Sequence, residues 1–498
     1  MNILKKILCL LIVATHVNAA INATTVWFVD PLSGNDSYGG AYDVSAGGTN
    51  CGINTTPCVT FDGATIAASG LASTTLTISG YTPQASDVGN HVRITGGTGS
   101  WILGTYRITA KGATTWTLDR NPATGASSAM TGYMGGALAT TAPLFDAGAT
   151  TARGVPITGN KVFVKGDATM VITSSQSITN PGTVGGDYMR LIGYTTTPGD
   201  GGRATIQMSG AFSGTAVALY SPSTKNSIEN IVVDCNSVTA STGIVVTSNS
   251  GSSRLINNVI KNCPSGGVAI GAINTYFTGN EITACGSTAS GALYLSGNNG
   301  NGFTVGNYIH DNATDGIFGS VSSPPTTIVF NVVANNTGYG LNSKSTFILA
   351  MFNTFYNNSS GGITNGSAVN TFPTNIYWGN ILENNGGYGI QCASANGLPT
   401  GPHLDGNWYY NNASGDRQYC DNNTGVDAYA TYTSVREVDG TADAFVNAAG
   451  GDFRLNNVPG GGTSAKYAGV TGLSYILTNY GRPDMGAIQA LPMFGGGN

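Results

Sequence analysis

Charge is what this sequence has least of. Twenty Lys and Arg and 25 Asp and Glu make up 9% of 498 residues, with four His and a net charge of −5. That balance leaves no basic patch for nucleic acid. With 73 Gly as well, helices cannot dominate. Long apolar runs are also missing. The stretch Ile7–Val13 falls far short of the roughly twenty residues a membrane-spanning helix needs. Disorder as the main state is excluded from the other side, because 41% of the residues are hydrophobic.

What is present is a repeat. Between residues 226 and 412 one phrase recurs: Asn, any residue, an apolar residue, two more residues, then Asn or Cys. It runs from Asn230-Ile231-Val232-Val233-Asp234-Cys235 through Asn307-Tyr308-Ile309-His310-Asp311-Asn312 to Asn407-Trp408-Tyr409-Tyr410-Asn411-Asn412. The leading residues are Asn230, Asn258, Asn280, Asn307, Asn331, Asn353, Asn380 and Asn407, spaced 22 to 28 apart. A period in this range marks a solenoid. A second apolar run beginning with Gly follows most phrases, as in Gly243-Ile244-Val245-Val246 and Gly316-Ile317-Phe318. Runs this short, rich in β-branched residues, are strands rather than helices. Each repeat is then one coil of two or three strands, stacked in parallel about 4.8 Å from the next. The leading Asn is expected to take left-handed backbone angles at a bend and to form an amide ladder along the stack.

On these residues the chain resembles the right-handed parallel β-helix proteins of the pectate-lyase-like superfamily. The resemblance covers most of the mature chain and is specific for fold. That family includes polysaccharide lyases, glycoside hydrolases, phage tailspikes and non-enzymatic surface proteins. The polygalacturonase signatures (an acidic triad, Gly-His-Gly, Arg-Ile-Lys) are not found, nor are the Asp-His and Arg-Pro patterns of calcium-dependent pectate lyases.

The expected order along the chain is as follows. Residues 1–19 read as a secretory signal peptide, with Lys5 and Lys6, the apolar Ile7–Val13 and the small-residue site Val17-Asn18-Ala19. Residues 20–70 hold an N-terminal strand, Trp27–Asp30, and a cap, with Thr60–Ala68 resembling a short closing helix. Residues 71–138 alternate like antiparallel strands and read as a small inserted β-domain. Residues 139–425 form the β-helix and 426–498 the C-terminal cap, including Gly451–Leu455 and Pro483–Ala487. The loop Pro31–Ser37 resembles an oxygen-rich cation site or is a plain turn; no calcium site is assigned and the cofactor stays open.

Export permits disulfides. Cys51 with Cys58 and Cys392 with Cys420 are the expected pairs. Cys235, Cys263 and Cys285 occupy equivalent positions on successive coils, so two can bond and at least one remains a buried thiol. A metal site is not expected there, because cysteines on one line make no tetrahedron.

Alternation sends the residues beside each leading Asn outward. The outward column includes Tyr308, Tyr356, Glu383, Trp408 and Tyr410. It reads either as an exposed groove on which sugar rings stack or as scattered surface aromatics. Lys261, Glu281, Tyr308 and His310 lie on three consecutive coils. They suit β-elimination of a uronate, with His310 as base, Tyr308 as acid and Lys261 against the carboxylate; the plainer reading is an ordinary polar surface. For hydrolysis, Asp311 and Asp315 are the close carboxylate pair, or simply turn residues. Between residues 226 and 425 the only Lys or Arg residues are Arg254, Lys261, Lys344 and Arg417, few for a polyanionic substrate.

The reading is a secreted β-helix that recognises extracellular polysaccharide or a cell-surface glycan, with lyase action ahead of hydrolysis. No nucleic-acid partner and no membrane span after cleavage are expected, and the chain is a monomer or a trimer. The alternative is a non-enzymatic adhesin, surface structural protein or phage-fibre component.

Overall fold

The computed structural model describes residues 22–62, 66–69, 73–78, 80–145, 156–178, 187–219, 225–247, 252–272, 274–286, 291–297, 302–321, 326–344, 348–365, 375–392, 402–418 and 437–465. The signal-peptide segment, Cys420 and Pro483–Ala487 lie outside them. The chain forms two compact units, divided between residues 168 and 192.

In the first unit the strand Thr25–Val29 pairs in parallel with Lys161–Lys165 and antiparallel with Ala41–Asp43. Its other element is an antiparallel sheet of seven strands between Val59 and Met134 that closes on itself, because Ala126–Met134 pairs with both Ile66–Ser69 and His91–Thr98. Trp116, Tyr106, Leu76 and Ile94 fill its interior, each essentially without solvent exposure. Thr60–Ala68 is not the expected helix. Val59–Asp62 and Ile66–Ser69 are strands of this sheet, because hydrogen bonding to Ala126–Met134 decides their conformation. The Cys51–Cys58 disulfide is present. In the loop after Trp27–Asp30, Asp30 accepts from the backbone N–H of Leu32 and Ser33 and pairs with Lys165. Asp36 accepts from Thr140. The bonds to Leu32 and Ser33 are turn bonds, whereas Lys165 and Thr140 tie the loop to residues far along the chain.

The second unit is a parallel β-helix. Three parallel sheets run along it, and each coil contributes one strand to each. The first contains the strands Asn226–Glu229 through His403–Asp405. The second runs from Thr169–Ile172 to Val438–Asp439, and the third from Gln176–Ile178 to Gly415–Gln418. Register is kept from coil to coil: Val233, Ile260, Ile282, Ile309, Val333, Phe355, Leu382 and Tyr409 are successive partners and form one fully buried column. Burial of each such side chain contributes about 1.5–3 kcal/mol.

The bends carry two asparagine ladders. In the first, the Nδ2 of Asn258, Asn280, Asn307, Asn331, Asn353 and Asn380 each donates to the Oδ1 of the next, ending at Asn407. The second links Asn312, Asn336, Asn358, Asn385 and Asn412 in the same way. The left-handed angles expected of the ladder residues belong instead to their predecessors: Asn257, Gly279, Gly306, Phe330, Phe352, Gly379 and Gly406. One residue makes the bend so that the next can aim its amide inward. Only Asn230 among the leading residues has positive φ. Gly340, which opens a third-sheet run, is needed for space: a Cβ there would meet Phe355 Cδ1 at 2.6 Å and the ladder amide of Asn358 at 2.9 Å.

Cysteines head the second ladder. Cys235 and Cys263 are bonded, and Cys285 is a buried free thiol whose N–H donates to Asn312 Oδ1. Burial, foremost, pushes that thiol up to about 12, so it is inert at neutral pH. Cys392 is disulfide-bonded, and its expected partner Cys420 lies outside the described residues. No helix among the described residues is long and apolar enough to cross a membrane.

Candidate functional site

The outward face of the second sheet presents two columns. Partnering places Val232, Val259, Glu281, Tyr308, Val332, Thr354, Ile381 and Trp408 in one, and Asp234, Lys261, Thr283, His310, Ala334, Tyr356, Glu383 and Tyr410 in the other. The inward and outward assignment read from alternation holds. The expected exposure does not.

From Val332 onward this face is covered by the chain's own C-terminal segment, whose edge touches the Tyr308 ring. Val438–Asp439 adds a strand beside Trp408–Tyr410. The chain then turns back, and Phe445–Asn447 and Asp452–Leu455 form a small antiparallel pair. Phe445 and Phe453 stand edge-on to Tyr356, with centroids 6.1 and 5.6 Å away, and Phe453 reaches Tyr308 at 6.1 Å. Trp408 and Glu383 have no solvent exposure and Tyr356 has 8%. Tyr356, Glu383 and Trp408 therefore do not line an open groove. Tyr410 is half-buried beside the same cluster. The reason is hydrophobic: outward Val332, Ala334, Ile381 and Trp408 are apolar, and the segment removes them from water. Those apolar outward positions were the signal in the sequence that this face is a seat.

Glu383 accepts from the Ala444 N–H at 3.2 Å within this seat. Burial, and then the charge and hydrogen bond of Asp443, push its carboxyl up to about 9. The first ladder ends close by, where Asn407 N and Nδ2 both donate to Glu437 Oε1. Glu437 takes the acceptor place that the next coil's Asn would have held. Burial, chiefly, pushes it up to about 7.

The uncovered end of the face brings together the other predicted residues. His310 Nε2 lies 3.3 Å from Glu281 Oε1, and its Nδ1 lies 2.6 Å from Asp311 Oδ2. The Tyr308 ring stacks on His310 with centroids 3.8 Å apart. Burial, then the charges of Asp311 and Glu281, push the Tyr308 hydroxyl up, so it stays a donor. The side chains of Glu281 and Asp311 are 38% and 56% exposed, against 13% for His310.

Lys261 also sits here, but its Nζ is 3.5 Å from Asp234 Oδ2. Burial pulls the Asp234 carboxyl upward, yet the amide of Asn262, the N–H of Asn236 and Lys261 together hold it below its usual range. The expected pair of Asp311 and Asp315 separates into two tasks. Asp315 accepts from Tyr339 N and Asn342 Nδ2 and ties its coil to the next. Asp311 turns back onto His310. Sequence reasoning missed that contact, although Asp311 occupies the left-handed bend position directly after His310 (φ 53°). Among the described residues no group of three or more His, Cys, Asp or Glu side chains is placed to hold a metal ion.

Strand pairing defines the class: an all-β protein built on a parallel β-helix. No protein-family model matches the chain, and no curated protein sequence matches it. Among solved structures it is similar to pectate lyase Pel9A, at 14% identity over 71% of this chain and 91% of that one, with a TM-score of 0.49. It is similar to the catalytic unit of a GH87 α-1,3-glucanase from Streptomyces thermodiastaticus, at 13% identity over 74% and 90%, with a TM-score of 0.34. A Geobacillus virus E2 protein matches at 12% identity over 52% of each chain, with a TM-score of 0.39, so this chain spans about half of that relative's length. Likeness at these levels speaks to fold alone.

Proposed function

We propose that this chain is an exported β-helix protein that recognises polysaccharide on the open end of its second sheet. Glu281, His310 and Asp311 are the acid–base group that can cleave the bound glycan. The observation that carries this reading is one imidazole held at both nitrogens by solvent-facing carboxylates and stacked on the Tyr308 ring, at the margin where the C-terminal cover ends. Here His310 holds Glu281 and Asp311 in place, and the two carboxylates and the Tyr308 hydroxyl are the groups that meet the sugar. Lys261 is balanced by Asp234, which weakens its fitness as a partner for a uronate carboxylate. Export to an oxidising compartment is in keeping with the Cys51–Cys58 and Cys235–Cys263 disulfides and with the bonded Cys392.

An oligosaccharide panel tests this, scored for both binding and new chain ends. His310→Ala and Glu281→Gln are each expected to lower chain-end production about 100-fold or more, with the melting temperature within a few degrees of wild type. Absorbance from an unsaturated uronate would identify elimination, and reducing ends without it hydrolysis. Binding without new ends would leave a recognition protein, the adhesin-like alternative. Failure to bind anything in a broad panel would refute the carbohydrate reading.

A further inference from the structure

We infer that the open face selects glycans without carboxylates, neutral or amino-bearing, and rejects polyuronates. The inference rests on the proposed glycan site and adds the chemical class of its ligand. Around His310 the acidic side chains outnumber the basic ones. Glu281 and Asp311 contact the ring directly, and Asp234 faces Lys261 one coil further on. Lys261 is the only Lys or Arg within the described strands of this sheet between Thr169 and His310; Arg203, just before Ala204–Met208, is engaged with Asn257 Oδ1. Its charge is matched by Asp234, so the cluster carries a net charge of −2 with neutral imidazole and −1 with imidazolium.

A uronate carboxylate brought to Lys261 would meet Asp234 at the same ammonium and Glu281 on the next strand. Such like charges repel, and because Lys261, Glu281 and Asp311 are well exposed, salt screens the repulsion. An uncharged hydroxyl meets no such penalty, and an ammonium would be attracted. The remaining outward positions on the open strands suit neutral sugars: Thr169, Val171, Thr205, Gln207, Val232 and Thr283 offer hydroxyl, amide and apolar surface.

The test is a binding titration of the full chain with oligosaccharides of matched length in three sets: neutral hexose, hexosamine and hexuronate. It is run at low and at high salt. The expected result is hexuronate binding at least tenfold weaker than neutral binding at low salt. That gap should narrow at high salt and in a Glu281→Gln, Asp311→Asn double variant. A hexuronate set that binds as well as or better than the others, and whose binding His310→Ala abolishes, overturns the inference while leaving the glycan site standing. So does a gap unchanged by salt and by the double variant. If no set binds, or if binding ignores His310→Ala, the glycan site itself falls, and this inference with it.

Discussion

Raising the pH from 5 to 9 is expected to loosen the C-terminal segment and lower the melting temperature, and Glu383→Gln is expected to remove most of that dependence. Glu383 is fully buried. It faces Tyr356 and Tyr410 on its neighbouring coils, Asn384 beside it, and Asp443 and the Ala444 N–H from the covering segment. Its folded value of about 9 lies above the ordinary 4.5. Between those values the group takes up a proton on folding. Its contribution is therefore complete below pH 4.5 and declines as pH rises toward 9, by at most about 1.4 kcal/mol per pH unit. Glu437 adds a slope of the same sign between 4.5 and about 7. Asp416 is raised too, by burial and then by Asp439. Gln keeps the shape of a neutral carboxyl and does not titrate. Melting curves from pH 5 to 9, with limited proteolysis of residues 437–465, read the effect. An equally steep decline in Glu383→Gln would show that the latch lies elsewhere.

Asn331→Ala is expected to cost about 3–5 kcal/mol, and Asn331→Asp more. Asn331 has no exposure. Its Nδ2 donates to Thr304 O and Asn353 Oδ1, with Val329 O in shared contact at 3.1 Å, while its Oδ1 accepts from the N and Nδ2 of Asn307. Alanine leaves buried donors of Asn307 and the carbonyl of Thr304 short of partners, at about 1–3 kcal/mol for each orphaned group. Aspartate keeps the acceptor but sets a charge against Thr304 O and Asn353 Oδ1. Glu437 shows where a carboxylate is tolerated: at the ladder's last position, where no onward donor is required. The control is Asn357→Gly, at an exposed left-handed position, expected to change stability by less than about 1 kcal/mol. Denaturant unfolding compares them. A loss at Asn331 no larger than at Asn357 would show that the ladder is decorative.

The repeat was legible because stacked coils obey a short rule. The phrase of Asn, apolar residue and Asn or Cys recurs at every bend, so ladder, inward column and Cys position could all be read from Asn230 to Asn412. The first contact of the candidate site was legible for the same reason: Glu281 and His310 lie on adjacent strands of one face. The Asp311 contact was not, since it depends on the backbone turning left-handed after His310. Thr60–Ala68 misled because a resemblance to a capping helix says nothing of its pairing with a distant strand.

The sequence by itself determined the coil. Its period, its alternation and its bend residues are local and repeat on every turn, and each coil repeats the environment of the last. Only the tertiary structure decided which part of the outward face is open. That outcome depends on a segment from residue 437 onward folding back along the coils to lie on Tyr356, Ile381 and Trp408. It is a single long-range contact driven by apolar burial, with no period to announce it. The same event buried Glu383 and left Glu281, His310 and Asp311 at the uncovered end, so chain return, rather than residue type, separates seat from site.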